Sequence, residues 1–316
     1  MSVHVIVGAG PVGSATARLL AAQGHSVRLL SRSGTGPGDA GIEKVRVDAS
    51  DAGALLRAAD GAEVLYNCVN PPYHRWPADW PPIAASLLAV AEASRAVLVT
   101  VSNLYGYGPV DHAMVETDPL AATSVKGRVR ARMWDDALTA HSAGRIRATE
   151  LRSSDFFGPG VTESVLGERV VPALLAGKGV SVLGDPDAAH SWTYVPDVAR
   201  TLATLGADER AWGKAWHTPS NPPLSQRAII AALCRAAGVP PVKVGVVPSI
   251  ALLAVGLFQP VVRELREIRY QLDRPFILDS SAVTRTFGID PTPLDEALAA
   301  TVDWYRNRTA TAAAQP

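Results

Sequence analysis

Through the first half of the chain, short runs of β-branched and aliphatic residues alternate with alanine- and leucine-rich amphipathic stretches. That alternation is the pattern of a parallel sheet crossed by helices. "VHVIVG" predicts a first strand, with a helix over residues 14–23 after it. "SVRLLSR" (26–32), "EKVRVDA" (43–49), "EVLYNCV" (63–69) and "AVLVTVS" (96–102) predict strands two to five. Helices are expected over 51–60 and 83–94, another over 124–142, and "IRATELR" (146–152) predicts a sixth strand. Beyond residue 120 the alternation loosens. "GPGV", "GDPDAAHSW" and "PSNPPL" interrupt it, which predicts a smaller, irregular lobe carrying the substrate walls. The expected division is a first domain over residues 1–155 and a second lobe over 156–316, some segments of which return to the first.

Composition narrows the partners. A chain of 316 residues with 47% apolar content can bury a full core. Its 30 basic and 30 acidic residues cancel, leaving no field that favours nucleic acid or an anionic membrane. Cys68 and Cys234 are far apart and match no metal spacing, so no metal is expected and a reducing cytoplasm is the natural compartment. No charged leader precedes the first apolar run. "VVPSIALLAVGLF" (246–258) is interrupted by Pro248 and Gly256 and is too short to span a bilayer, so a buried helix is expected there.

"GAGPVG" follows the first strand directly and opens a helix, the full strand–turn–helix context of a dinucleotide-binding fingerprint. Gly8 permits the sharp turn, Gly10 lets backbone approach a pyrophosphate, and Gly13 lets helix and strand pack closely. Pro11 and Val12 complete the turn, and the helix N-terminus faces the anion. The fold expected is therefore α/β, a Rossmann-type doubly wound parallel sheet. At the end of strand two, where an acidic residue would accept from a ribose 2′-hydroxyl, stand Ser31 and Arg32; a guanidinium suits a 2′-phosphate, which favours NADP(H) over NAD(H). Asp48 and Ala49 are placed to meet the adenine edge. Asn67, Cys68 and Val69 end strand four where the chain should pass the nicotinamide ribose.

This layout, together with "VSNLYGYGP", "ELRSSDFFGPGV" and "HSWTYVPDVARTL", resembles the extended short-chain dehydrogenase/reductase superfamily, in its NAD-dependent epimerase/dehydratase group, over roughly residues 1–305. The resemblance implies a nicotinamide cofactor, a small-molecule substrate bound mainly by the C-terminal part, and a homodimer as one assembly common in the superfamily. In that family a serine or threonine stands four residues before a Tyr-Gly pair; counting back from Tyr107 puts Asn103 there, whose amide can still polarise a carbonyl or simply satisfy the turn. The family also pairs a tyrosine with a lysine one helical turn later. Here no lysine has a tyrosine four residues before it. Measured from "ETDP", the tyrosine position falls on Lys126 and the lysine position on Arg130; in the slipped register Ala122 replaces the tyrosine.

An ammonium at Lys126 can in principle protonate a developing alkoxide, and Arg130 can grip ribose or phosphate but cannot act as acid. Both also fit the cationic side of a surface helix. Tyr105 and Tyr107, on the loop after strand five, are the substitute phenols. Tyr73, His74, Trp76 and Trp80 offer one substrate wall, and Phe156, Phe157, His190 and Trp192 the opposite one. Asp197 and Asp279 are expected to cap helices. Three activities remain open at this point: NADPH-linked reduction of a small carbonyl compound, a cofactor-retaining sugar-nucleotide epimerase or dehydratase, and a catalytically silent NADP(H)-binding regulator.

Overall fold

The computed structural model describes residues 2–248, 264 and 267–313, with side chains through residue 308. A seven-stranded, wholly parallel sheet forms its centre. The first six strands are β1 (Val3–Val7), β2 (Ser26–Ser31), β3 (Ile42–Arg46), β4 (Val64–Asn67), β5 (Val97–Asn103) and β6 (Arg147–Ser153). Their spatial order is β6-β5-β4-β1-β2-β3, with Ala215–His217 added outside β6. The chain builds outward from β1 to β3, then returns to place β4 on the other side of β1. The crevice above β1 and β4 is thus the topological switch point where ligands bind in open α/β sheets. Val7 pairs there with both Leu30 and Asn67.

Helices α1 (Pro11–Ala22), α2 (Ala52–Ala58), α3 (Trp76–Ser94) and α4 (Val125–Ser142) follow β1, β3, β4 and β5. Side chains of α2, α3 and α4 bury one face of the sheet, including Leu55, Leu87 and Trp134. Side chains of α1 and the helix Val195–Ala207 bury the other, including Leu20, Val198 and Leu202. With both faces covered, β4 is buried at every position, which explains its unbroken apolar run.

Local chemistry sets the ends of these elements. Pro11 opens α1 with its pre-set φ, Asp51 accepts from the Ala54 amide at α2, and Ser124 accepts from the Gly127 amide at α4. α3 starts at Trp76, seven residues before the expected start. Pro77 falls in its first turn, where no amide is needed, whereas Pro81 and Pro82 lie inside the helix, and Trp76 and Trp80 lie one turn apart on its buried face.

The second lobe has its own core around Leu174, Trp192, Ile229, Leu298 and Tyr305. Asp155–Phe157 peels off the end of β6 and pairs with Trp192–Tyr194. The segment 276–279 then stitches the lobe to the sheet: Phe276 exchanges backbone bonds with Ala189 and Ser191, and the Asp279 amide donates to Met114. The helix of residues 195–207 packs on the sheet, and residues 215–217 pair with β6. Val246, which opens the run 246–258, ends the strand Val244–Val246 beside Val180–Val182, and residues 249–258, where a buried helix is expected, lie outside the described residues. Asp197 does not cap its helix; its buried carboxylate accepts from the amide and hydroxyl of Thr292 and from Arg200, tying residue 292 to the helix start. Asp279 does accept from the Ser281 amide. No described helix is long and apolar enough to cross a membrane.

Candidate functional site

The glycine turn leaves β1 at the switch point. Gly8 has φ of 109°, and a Cβ there would meet the Cys68 carbonyl oxygen at 2.5 Å. A Cβ on Gly13 would fall 1.8 Å from the Gly8 oxygen. At Gly10 nothing lies within 4 Å of that position. Two glycines are therefore enclosed by their own turn and the middle one faces open space. No side chain caps the amides of α1, so they remain free for an anion. The residues present fit a dinucleotide diphosphate. A Cβ on Gly160, of the "FFGPG" loop, would lie 3.9 Å from the Pro11 Cβ.

Along the expected adenosine edge, Ser31 donates to the Thr35 carbonyl and Ser33 bonds the Thr35 hydroxyl at 2.6 Å. Arg32 is exposed and makes no hydrogen bond among the described residues. Asp48 spends one carboxylate oxygen on the amide and hydroxyl of Ser50. Those bonds hold its carboxyl below the usual range, and the Arg32 charge adds to the effect. Ala49 is buried beside it. Asn67 is buried and accepts from the Val69 amide. Burial pushes the Cys68 thiol up to about 12, so it is an inert wall.

Asn103 accepts from the Tyr105 amide at 3.1 Å, an Asx turn that leaves its side-chain NH₂ uncommitted. The two substitute phenols then part company. The Tyr105 hydroxyl lies 3.0 Å from that of Tyr73, with the Gln271 amide at 3.5 Å. The Tyr107 hydroxyl accepts from Arg152 Nη1 at 2.7 Å, sits 2.7 Å from His217 Nε2, and is closed in by a buried Arg152–Glu150 pair. Tyr107 is thus a structural phenol, not the substitute acid that its position after strand five suggests.

The helix that lacks the customary tyrosine is also different in detail. Lys126 is 1% exposed, and its ammonium donates to Glu264 and Glu267 while its backbone amide donates to Glu267. Its nitrogen stands 5.9 Å from the Tyr73 ring centre. A clamped ammonium is not free to act as the proton donor expected of it. One turn later the Arg130 guanidinium lies between two indoles, 4.6 Å from Trp76 and 4.4 Å from Trp80, with its Nε unpartnered. Burial pulls it down to about 10, against the opposing pull of Glu150 and the two phenols. Its Nη1 also donates to the Val101 carbonyl at 3.4 Å, so Arg130 is held on the two rings. Trp76 is its platform rather than a substrate wall, and Trp192 is likewise core, its ring nitrogen donating to the Leu224 carbonyl.

The cation is nonetheless close enough to matter. Burial, with Asp155 adding to it, holds the Tyr73 phenol above its ordinary value, and the Tyr105 hydrogen bond and, less, Arg130 oppose the rise. Burial raises Tyr105 well above the ordinary value, with Tyr73 and Asp155 adding to it. Sequence reasoning missed Gln271, Glu264, Glu267 and the Asp155–His190 contact at 2.7 Å. Only the i, i+3 spacing of the two glutamates hinted at a shared face. His74 is exposed on the short turn with Tyr73, and Phe156 is half-buried against the sheet-side core. A cavity of about 900 Å³ opens at the amino edge of the sheet, lined by His4, His25, Arg95 and Trp212 but by none of the residues above. The carboxyl end of α1 points into it, the wrong pole for a diphosphate.

A Rossmann sheet with a free glycine cradle defines a nucleotide-binding protein of the α/β class. The model of the NAD dependent epimerase/dehydratase family matches residues 4–214, and the chain belongs to that family. No curated protein matches the chain. Among solved structures, the dTDP-glucose 4,6-dehydratase DesIV of Streptomyces venezuelae, as a double mutant with NAD and DAU bound, is similar at 22% identity and TM-score 0.78, covering 98% of each chain. The epimerase Mth375 of Methanothermobacter thermautotrophicus is similar at 17% identity and TM-score 0.83, covering 99% of this chain and 95% of its own. A dTDP-glucose 4,6-dehydratase of Bacillus anthracis in complex with NAD matches at 16% and 0.80, covering 98% of each. At these identities the likeness is one of fold.

Proposed function

We propose that the protein is a nicotinamide-dependent oxidoreductase that uses NADPH to reduce a small carbonyl compound, with the Tyr73–Tyr105 phenol pair supplying the proton. The observation that carries this reading is the 3.0 Å contact between the two hydroxyls, beside the helix position where the family phenol is absent. Tyr105 is buried and accepts from Gln271, so its own proton points to Tyr73, and the more exposed Tyr73 is left with an outward O–H. Arg130 supplies the positive charge that the family lysine would bring to the phenol, held in place by two ring faces instead of a ribose. The uncommitted NH₂ of Asn103 can donate to the substrate oxygen. The bound cofactor would supply the hydride, and the glycine turn with Ser31 and Arg32 would hold its phosphates. The free Arg32 is the reason to prefer NADPH.

Titrating NADPH and NADH against wild type and Arg32→Ala tests the cofactor half: NADPH should bind more tightly, and the preference should shrink about tenfold or more in the variant, as for loss of one charge-assisted bond. Equal affinities in the wild type defeat it. Turnover of a panel of carbonyl compounds by wild type and Tyr73→Phe tests the chemistry.

A second reading rests on the solved neighbours bound to NAD or to sugar nucleotides, among them MoeE5 with UDP-glucose and NAD. It makes the chain an NAD-dependent sugar-nucleotide epimerase or dehydratase. Cofactor that stays bound through purification, with no net NADPH consumption, favours it. The cytoplasm and a homodimer are the setting proposed for either reading, and gel filtration checks the latter.

A further inference from the structure

The cavity at the amino edge of the sheet lies at the opposite end of β1 from the glycine turn and is used by nothing described so far. Its volume, about 900 Å³, is that of a small-molecule site. Leu19, Ala203, Trp212 and Ile289 make part of its wall apolar. Arg95, Arg147 and Arg200 add guanidinium groups, and Glu63 adds a carboxylate. Arg200 is already paired with Asp197, whereas Arg95 and Arg147 meet no carboxylate among the described residues. Two free cations thus share the wall with one anion.

The backbone places the two cations together. Arg95 ends α3 with φ of 61°, the one non-glycine residue of positive φ among the described residues. Crowding at Cβ makes that conformation unfavourable for a side chain, and the Arg95 guanidinium makes no hydrogen bond among the described residues that would offset it. Arg147 Nη2 donates to the Arg95 carbonyl, and its guanidinium lies 5.0 Å from the Trp212 ring centre. The helix carbonyls that reach this edge are already taken: Leu19 and Leu20 accept from the amides of Gln23 and His25, and Leu205 accepts from the Trp212 indole.

A third donor follows from the histidines. Ser2 Oγ lies 2.7 Å from His4 Nε2 and 2.8 Å from His25 Nδ1, and His4 Nδ1 lies 3.1 Å from the Tyr66 hydroxyl. His4 is 3% exposed, and burial, reinforced by His25, lowers its pKa to about 4, so it is neutral near pH 7. The buried Tyr66 hydroxyl has no other partner among the described residues and gives its proton to His4 Nδ1. His4 therefore donates from Nε2 to Ser2, and Ser2 donates to His25 Nδ1. The ring proton of His25 then stands on Nε2, which has no partner among the described residues.

We propose that this cavity is a second ligand site that binds a small organic oxyanion: a carboxylate or phosphate head group received by Arg95, Arg147 and His25, on an apolar body laid against Leu19, Ala203 and Ile289. A guanidinium presents paired N–H groups in the plane that two oxygens of either head group match. The apolar wall adds contact that a bare inorganic ion does not make. The length of β1 separates the cavity from the glycine turn, so this ligand and a dinucleotide do not compete. Nothing in the site depends on the reaction proposed above.

Benzoate and phenyl phosphate are the probes, titrated by calorimetry into the full-length protein with and without saturating NADPH. At least one should bind, equally well in both conditions, and the tighter of the two identifies the head group. Arg95→Gly is the sharpest variant, because glycine adopts a φ of 61° without strain. Its melting temperature should hold or rise while affinity falls about tenfold or more, as for loss of a charge-assisted bond. Arg147→Met should weaken binding as well, and the His25 ring signals in NMR should shift when the probe is added to wild type. No binding of either probe at millimolar concentration, displacement by NADPH, or an affinity unchanged in Arg95→Gly overturns the site. Inorganic phosphate that binds as tightly as phenyl phosphate overturns the apolar half of it.

Discussion

Tyr105 and Tyr107 stand at the two ends of one short turn, on either side of Gly106, and meet opposite environments. The Tyr107 side is closed: its hydroxyl takes a bond from Arg152 and contacts His217, whose other nitrogen meets the Asp279 carbonyl and whose amide donates to Glu116. Burial still pushes Tyr107 up to about 12, with Arg152 opposing. The Tyr105 side is open at one end, because its partner Tyr73 is only half-buried. A closed network stabilises; a chain with a free terminal proton can react. Position on the loop does not separate these roles, whereas what each hydroxyl meets does.

The sharpest way to break the closed side is Arg152→Met, which leaves the Glu150 carboxylate buried without its partner. We expect a loss of about 3–5 kcal/mol in denaturant unfolding. A loss under about 1 kcal/mol would mean that the network is not what holds this end of the sheet. Tyr73→Phe attacks the open side: turnover should fall about a hundredfold, as for a lost general acid, while the unfolding midpoint hardly moves. Tyr107→Phe should invert that profile, costing about 1–3 kcal/mol because Arg152 and His217 lose a buried partner, with turnover within a few-fold of wild type. If Tyr107→Phe is the variant that stops turnover, the two roles assigned here are exchanged.

The smallest effect concerns acid. Burial, reinforced by His25, lowers the His4 pKa from its ordinary value to about 4, and burial lowers that of His217 as well. Each binds its proton more weakly folded than unfolded, so the unfolded chain takes up more protons below about pH 6.5. Stability should therefore be full above that pH and fall as it drops toward about 4. Replacing His4 by glutamine should flatten part of that slope, read from melting temperatures at pH 7 and 5.

How much of this was legible beforehand varies along the chain. The order of strands and helices through residue 153, and the glycine turn, follow from local patterns: two-sided burial demands unbroken apolar strands, and a tight turn against Cys68 and Gly8 demands glycine whatever surrounds it. That no tyrosine stands four residues before any lysine is equally plain, since it needs no coordinates. The start of α3 was misplaced because prolines read locally as breakers, while burial of Trp76 and Trp80 overrides that preference.

The amino-acid sequence by itself thus determined the nucleotide-binding half, where each requirement is set by neighbours a few residues apart. The tertiary structure decided the rest. Tyr73 meets Tyr105 across 32 residues, Lys126 meets Glu264 across 138, and Gln271 meets Tyr105 across 166. Whether a hydroxyl or an ammonium is free or spent depends on partners that only folding brings together, and no periodicity along the chain records which ones they will be.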